Sequence, residues 1–404
     1  MSSLRVTTNF KDSNGVDLGD ELITKDYLMS VYPEIGSQIG IPPELWVWGQ
    51  GSLGKLGNNS TTNISTPITT FSGGSNWKQV SAGAYNIAAI KTDGTLWTWG
   101  LGAAGRLGNA STTNVSTPVT TFSGGTNWKQ VSVGDSIAAI KTDGSLWVWG
   151  SGSNGRLGTN FTTNVSTPVP TFAGGTNWKQ VYVGDNHTAA IKTDGTLWTW
   201  GRGLYGTLGN ASTAQVLTPV TTFSGGTNWK QVSNGATSTA AIKTDGTLWV
   251  WGNGANGRIG NAVITNASTP VTTFAGGTNW KQVATGFQHM SGIKTDGTLW
   301  IWGTALNGRL GNATTTAIIS TPITTFAGGT NWKQVSSGLQ YTSAIKTDGT
   351  LWVWGTGIDG QLGNASTTDR STPITTFAGG TNWKQVSGAT SLAAAIKSVD
   401  FASF

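Results

Sequence analysis

His187 and His289 are the only imidazoles in the 404 residues, and cysteine is absent. Acid–base or nucleophilic chemistry would therefore rest on these two side chains and on carboxylates, with thiol catalysis and thiolate metal sites excluded. The carboxylates are poorly placed for it. No Glu follows Glu44, and Asp93, Asp143, Asp194, Asp245, Asp296 and Asp348 all stand in Thr-Asp-Gly steps, where Asp is favoured for turn formation. No acid–base pair and no metal-ligand spacing emerges, so we expect no catalytic site, no metal and no cofactor, with the histidines serving packing or hydrogen bonding. Cations are more regular. Lys55, Arg106, Arg156, Arg258 and Arg309 recur at one position after the second Gly of a Gly-rich turn, with Thr207 and Gln361 interrupting the series. Such a basic rim could meet nucleic acid, anionic glycan or acidic protein, or be a solvated face. Aromatic residues for base stacking are missing from those turns, so nucleic acid is not expected as a partner.

These residues recur because the whole chain repeats. Trp-x-Trp-Gly begins at Trp46, Trp97, Trp147, Trp198, Trp249, Trp300 and Trp352, and Asn-Trp-Lys-Gln-Val at Asn76, Asn127, Asn177, Asn228, Asn279, Asn331 and Asn382. Together the two signatures account for all 21 Trp, which makes tryptophan part of the scaffold before anything else. Within a unit, Ala88 to Gly100 reads as two apolar runs around an Asp-Gly able to take the positive φ angles of a tight hairpin. In Leu45 to Trp48 and Leu146 to Trp149 alternate side chains are apolar on both sets, so these strands should be covered on both faces. With three or four short strands per unit and no helical period, the fold class is all-β.

A unit this small cannot bury two apolar faces alone, so units must stack in an open solenoid or a closed ring. The last unit stops after Ile396 and Lys397 without its Leu-Trp-x-Trp strand, and that strand is present at Leu45 to Gly49. The spacing thus predicts a seven-bladed β-propeller over residues 45–404, closed by an N-terminal strand that completes the last blade.

The run Gly184-Asp185-Asn186-His187-Thr188-Ala189-Ala190-Ile191, followed by Thr193-Asp194-Gly195, Trp198 to Gly201 and Gly206-x-Leu208-Gly209, resembles the repeat of the regulator of chromosome condensation propeller family. The resemblance implies the same ring and a recurrent His at the positions of His187 and His289. Kelch propellers, of similar unit length, lack the Trp-x-Trp-Gly hairpin. Two activities of the resembled family find little support. Its nucleotide exchange on a small GTPase implies a wedge inserted between blades, for which the even unit lengths leave no room. Its photoreceptor branch implies a tryptophan cluster in the loop before the Ala-Ala-Ile strand, where this chain carries Tyr85, Asp135, Asn186, Thr237, Gln288 and Gln340.

Variation between units marks where binding could be written. It concentrates before Ala-Ala-Ile (Tyr85, Asp135, Asp185, His187, Phe287, Gln288, His289, Gln340 and Tyr341) and after Trp-x-Trp-Gly (Arg202 and Tyr205), and these are the candidate partner-binding loops. Residues 1–44 differ in kind, with 3 basic and 7 acidic side chains against 21 and 11 in the remainder. A short strand near Leu4 and Val6 and a helix over about 25–32 are expected there, with Tyr27, Leu28, Val31 and Tyr32 forming an apolar stripe for docking. No basic-then-apolar leader and no run of about 20 apolar residues occurs, so neither secretion nor a membrane partner is expected. A Cys-free, low-charge β repeat behind a small acidic module resembles bacteriophage virion appendages. The expected function is a non-enzymatic virion structural protein, a tail or capsid fibre or decoration. Residues 1–44 would dock to other virion proteins, the loops would meet a host-surface protein or glycan, and homo-oligomers are compatible with this. The alternatives are a free inhibitory propeller resembling those that cover β-lactamases, and a cytoplasmic interaction scaffold.

Overall fold

The computed structural model describes residues 42–71 and 74–398. The expected docking stripe (Tyr27, Leu28, Val31 and Tyr32) and its helix lie outside the described residues. Residues 43–398 form one unit made of seven four-stranded antiparallel sheets. In the first complete sheet the order is inner strand Trp77–Ala82, second strand Asn86–Lys91, third strand Leu96–Gly100 and outer strand Val115–Thr120. Five further blades repeat this order along the chain. The last combines Trp383–Gly388 and Leu392–Lys397 with Glu44–Gly49 and Ile64–Thr69, so the beginning of the propeller supplies two strands of the closing blade, one more than expected. The closing register is unbroken from Glu44 opposite Lys397 to Gly49 opposite Leu392.

Each blade is apolar on both faces, as the alternation required, and the core is accordingly divided among the seven blade–blade contacts. Leu45 and Val47 pack with Trp77, Ile87 and Trp99 of the next blade, while Trp48, on the other face of the same strand, packs with Ile345, Leu351 and Val353 of the preceding one. The inner indole meets the two Trp-x-Trp indoles edge to face, for example Trp178 with Trp198 and Trp200 at 6.2 Å each. A lysine lies over two of the three rings: Lys141 Nζ is 4.9 and 4.3 Å from the Trp128 and Trp147 centroids. These contacts add to area burial, which for an indole is the largest of any side chain.

Two polar devices repeat around the full circle. The second Trp of every Trp-x-Trp pair donates its Nε1–H to a carbonyl in the turn of the preceding blade: Trp99 to Lys55, Trp149 to Arg106, Trp200 to Arg156, and so on to Trp48, which reaches Gln361 at 2.9 Å. Gly57 is needed there, because at φ +64° a Cβ would stand 2.6 Å from Trp99 Nε1. On the channel side, a glutamine of each inner strand bridges to the next. Gln130 Nε2–H donates to the Val181 carbonyl (2.8 Å) while its Oε1 accepts from the Val181 N–H (3.0 Å), and Gln385 closes the ring on Val80 in the same way.

The Asp-Gly hairpins differ from the expected tight form. Gly94 alone has positive φ (82°), and Lys91 and Thr95 are joined across the turn by the Lys91 N–H to Thr95 carbonyl bond. Asp93 remains right-handed because its carboxylate accepts from both the N–H and the hydroxyl of Thr95, a local bond that favours the wider turn. These bonds also hold the exposed Asp93 carboxyl below its ordinary range.

Candidate functional site at the loop end of the ring

Strand direction places the loops in two sets. The loop between inner and second strands and the Gly-rich turn after the third strand share one end, the loop end. The Asp-Gly hairpins and the connections between blades share the other, the hairpin end. All the expected binding-loop and basic-rim positions therefore belong to the loop end, but they divide sharply by burial.

The basic positions do not form a solvated rim. Lys55, Arg156, Arg258 and Arg309 are buried and Arg106 is half-buried. The reason is that each Gly-rich turn folds back over the next blade, carrying its cation onto polar groups of the inner loops. Arg106 Nε donates to the Asp135 carbonyl (3.0 Å), Arg258 to the Phe287 carbonyl (3.0 Å) and the Thr237 hydroxyl (2.7 Å), Lys55 to the Ala84 carbonyl (3.3 Å), and Arg309 to Gln288 Oε1 (3.3 Å). Burial lowers the Arg309 guanidinium to about 10, and pushes Lys55 down against the opposing pull of Asp359. These residues are mortar between blades, and the recurrence that suggested a surface feature reflects a recurring interior bond.

His187, His289 and Tyr341 also differ from the expectation of binding-loop residues, for all three are buried at the start of second strands. His187 Nε2 lies 2.7 Å from Thr239 Oγ1, and His289 Nε2 lies 2.9 Å from Thr342 Oγ1. Each threonine hydroxyl spends its proton on a turn carbonyl, Thr207 or Arg309, and so accepts from Nε2–H; this assigns the neutral Nε2–H tautomer. Burial, with the nearby Arg156 or Arg309 second, depresses each imidazole to about 3. Tyr341 donates to the Leu392 carbonyl and accepts from the Ala389 N–H; burial pushes the phenol above its ordinary range, with the Ala389 bond opposing. One buried position thus holds Asn86, Ser136, His187, Ser238, His289, Tyr341 and Leu392 around the ring, and His187, His289 and Tyr341 use it to bond to the next blade.

What remains at the surface is compact. Tyr85 is 40% exposed and stacks on the Arg106 guanidinium at 5.1 Å, and Asp135 is paired with both Arg106 (3.5 Å) and Arg156. Asp185, half-buried beside this carboxylate, is raised by burial first and by Asp135 second, with Arg156 opposing. Phe287, Gln288 and Gln340 are half-buried, and Arg202 and Tyr205 are exposed. The sequence reading missed Leu53 and Leu306, apolar residues of the Gly-rich turns that are 37 and 49% exposed, while Ile358, in the variable turn after Trp-x-Trp-Gly, is 72% exposed. Leu53 and Tyr205 carry a further signal: both sit at φ 64°, at the turn position where Asn154, Asn256 and Asn307 stand in other blades. Asn tolerates left-handed backbone, whereas Leu and Tyr pay about 1 kcal/mol for it. Ala104 takes the same conformation in another blade, so what sets Leu53 and Tyr205 apart is a bulky side chain, 37 and 36% exposed, at the strained position.

Among the described residues no cluster of three or more His, Asp or Glu is placed to hold a metal ion, and no helix is long and apolar enough to cross a membrane. Comparison with known proteins agrees with the geometry. The chain is 31% identical over 192 residues to the ultraviolet-B receptor UVR8 of Arabidopsis thaliana, covering 47% of this chain and 43% of that protein. It is 27% identical over 344 residues to the human E3 ubiquitin-protein ligase HERC2, covering 83% of this chain but 6% of the ligase. The chain thus spans less than half the length of either relative. Among solved structures it matches human WBSCR16 with a TM-score of 0.77 at 19% identity, covering 88% of this chain and 99% of that one. It matches Prp20p of Saccharomyces cerevisiae with a TM-score of 0.75 at 18% identity, covering 88% and 92%. A model of the RCC1-like domain matches residues 44–395, almost the whole described ring, and with its seven repeats and closing strands the chain belongs to the RCC1-like domain family.

Proposed function

We propose that the protein is a non-enzymatic binding propeller whose loop end receives a protein partner. The observation that carries this reading is the pair Leu53 and Tyr205, exposed and left-handed where three other blades use Asn. Strain kept at an exposed position is an expected mark of recognition, since a partner can repay it on docking. On the two blades between theirs, Tyr85, Arg106, Asp135 and Arg156 form a polar network, and aromatic and guanidinium groups suit protein contacts. A protein partner is also in keeping with the relative Prp20p, solved bound to Kap60. The setting we propose is a virion, with residues 1–44 docking the ring to other particle proteins and the loop end turned towards the host surface.

Two experiments test the two halves of this reading. Changing Leu53 and Tyr205 together to Asn should leave the ring folded and reduce host-cell or partner binding at least about tenfold, the loss of two anchor side chains; undiminished binding rejects the loop end. Deleting residues 1–40 should release the ring from purified particles; retention at full stoichiometry, or absence of the intact protein from particles, rejects the virion setting while leaving the loop-end reading standing.

A further inference from the structure

The hairpin end carries a pattern that sequence variation does not flag, because every blade has it. Lys78, Lys129, Lys179, Lys230, Lys281, Lys333 and Lys384 are all exposed, at the second position of each inner strand. The ladder shifts register there, as between Trp77 and Gln79, so each of these lysines stands out of the strand pairing at the channel mouth. They are the lysines left over from the interior scheme. The other lysine of each blade lies over indoles, as Lys141 does, while the only ion pairs among the described residues are those of Asp135 with Arg106 and Arg156. The six hairpin carboxylates stay charged, each bonded within its own turn as Asp143 is by Ser145, but with Glu44 they are seven against the fourteen lysines of this end. Glutamine bridges tie neighbouring inner strands together, so each of these ammonium groups has two like charges one side-chain span away, an arrangement that concentrates positive potential at one mouth.

At the same end, the connection from the outer strand of one blade to the inner strand of the next presents a phenylalanine. Phe71, Phe122, Phe172, Phe223, Phe274, Phe326 and Phe377 are each 66 to 71% exposed. Six of those connections abut the hairpin of the preceding blade, as where the Trp128 N–H bonds to the Gly94 carbonyl, and in the seventh the Trp77 N–H bonds to the Pro43 carbonyl. Strands lie about 4.8 Å apart, which sets the phenyl groups roughly 14 Å outside the lysine ring, with neighbours separated by at least a blade thickness of about 10 Å. Successive bases of one nucleic-acid strand cannot stack on rings so far apart. A second copy of this face would meet it with like charge. The partner that accepts both a ring of cations and a wider ring of separated apolar side chains, with no shape of its own to be matched, is a bilayer with anionic headgroups.

We propose that the hairpin end docks on the surface of an anionic lipid bilayer, the lysines meeting headgroup phosphates and the phenylalanines entering the headgroup boundary. This surface is distinct from the loop end and does not depend on the function proposed above. The contact proposed is peripheral and involves no membrane-spanning segment.

The test is co-sedimentation of the full chain with vesicles of phosphatidylcholine alone or with about one third phosphatidylglycerol, at low and high salt. Binding to the anionic vesicles should exceed binding to the neutral ones at least about tenfold and fall with salt. Changing Lys129, Lys179, Lys230 and Lys281 together to Gln should remove most of that preference. Changing Phe122, Phe172, Phe223 and Phe274 together to Ser should lower the bound fraction while its salt dependence remains. All eight side chains are exposed, so both variants should keep the wild-type tryptophan emission that reports folding. Equal binding to both vesicles, or full binding by the lysine variant, overturns the proposal. So does full binding by the phenylalanine variant, which would make the face a site for soluble polyanions; displacement of both proteins alike by inorganic polyphosphate would identify that case.

Discussion

The buried imidazoles of His187 and His289 determine how the ring responds to acid. Both are neutral in the folded protein, held at about 3, whereas an unfolded histidine titrates near 6.5. Below about pH 6.5 the unfolded chain takes up two protons that the folded ring refuses, so stability is fully present above that pH and is lost progressively as pH falls towards 3. At about pH 5 the loss amounts to roughly 2 kcal/mol per histidine. Denaturant midpoints at neutral and acidic pH should therefore differ strongly in the wild type. They should differ much less after His187→Ser and His289→Ser, the residue found at Ser136 and Ser238; an unchanged pH dependence would refute the assignment. Tyr341→Phe removes a hydroxyl that serves two backbone groups of the closing blade and should cost about 1–3 kcal/mol by the same measurement. The histidines could be read from sequence as interior hydrogen-bonding residues. The arginines could not, because a cation after two glycines looks like an open turn, and only the folding back of that turn onto the next blade reveals that Arg156 and Arg309 are inside.

Single elements carry the strain that separates stability from recognition. In the three-residue turns Ser52–Gly54 and Leu204–Gly206, the middle residues Leu53 and Tyr205 adopt the conformation that Asn154 takes in Ser153–Gly155. Leu53→Asn and Tyr205→Asn should each raise the unfolding free energy by about 0.5–1 kcal/mol, measured by denaturant titration; a decrease would mean that these side chains pack for stability. The hairpin strands were legible from alternation, but their turn type was not, since Asp-Gly serves two turn geometries and the Thr95 bonds to Asp93 decide between them. The lysine and phenylalanine rings escaped notice for a different reason. Positions copied in every blade look like scaffold, so a feature made of identical residues gives no contrast against its own background.

For the molecule as a whole, closure was the most readable property, because an unpaired final strand and a spare initial one leave few other solutions. It is also the most exposed to disruption. Removing residues through Gly49 would leave the edge of Leu392–Lys397 unpaired and strip Trp48 from its contact with the Gln361 carbonyl. The shortened chain should associate or aggregate on size exclusion and unfold at lower temperature than the full ring. Gln385→Ala, which cuts the inner bridge at the same junction, should cost about 1–3 kcal/mol without changing oligomeric state.

The pairing of Glu44 with Lys397 also imposes an order on biosynthesis. Six blades can assemble while the ribosome is still at work, since each draws all its strands from one stretch of nascent chain. Throughout that time the strand bearing Trp46 and Trp48 is paired along one edge with Ile64–Thr69, while its other edge has no mate. Bringing together segments so distant in sequence adds only a logarithmic entropic penalty, so the delay is set by translation more than by thermodynamics. A message truncated late in its reading frame would consequently yield not a slightly smaller propeller but an unlatched arc with a sticky border at each extremity.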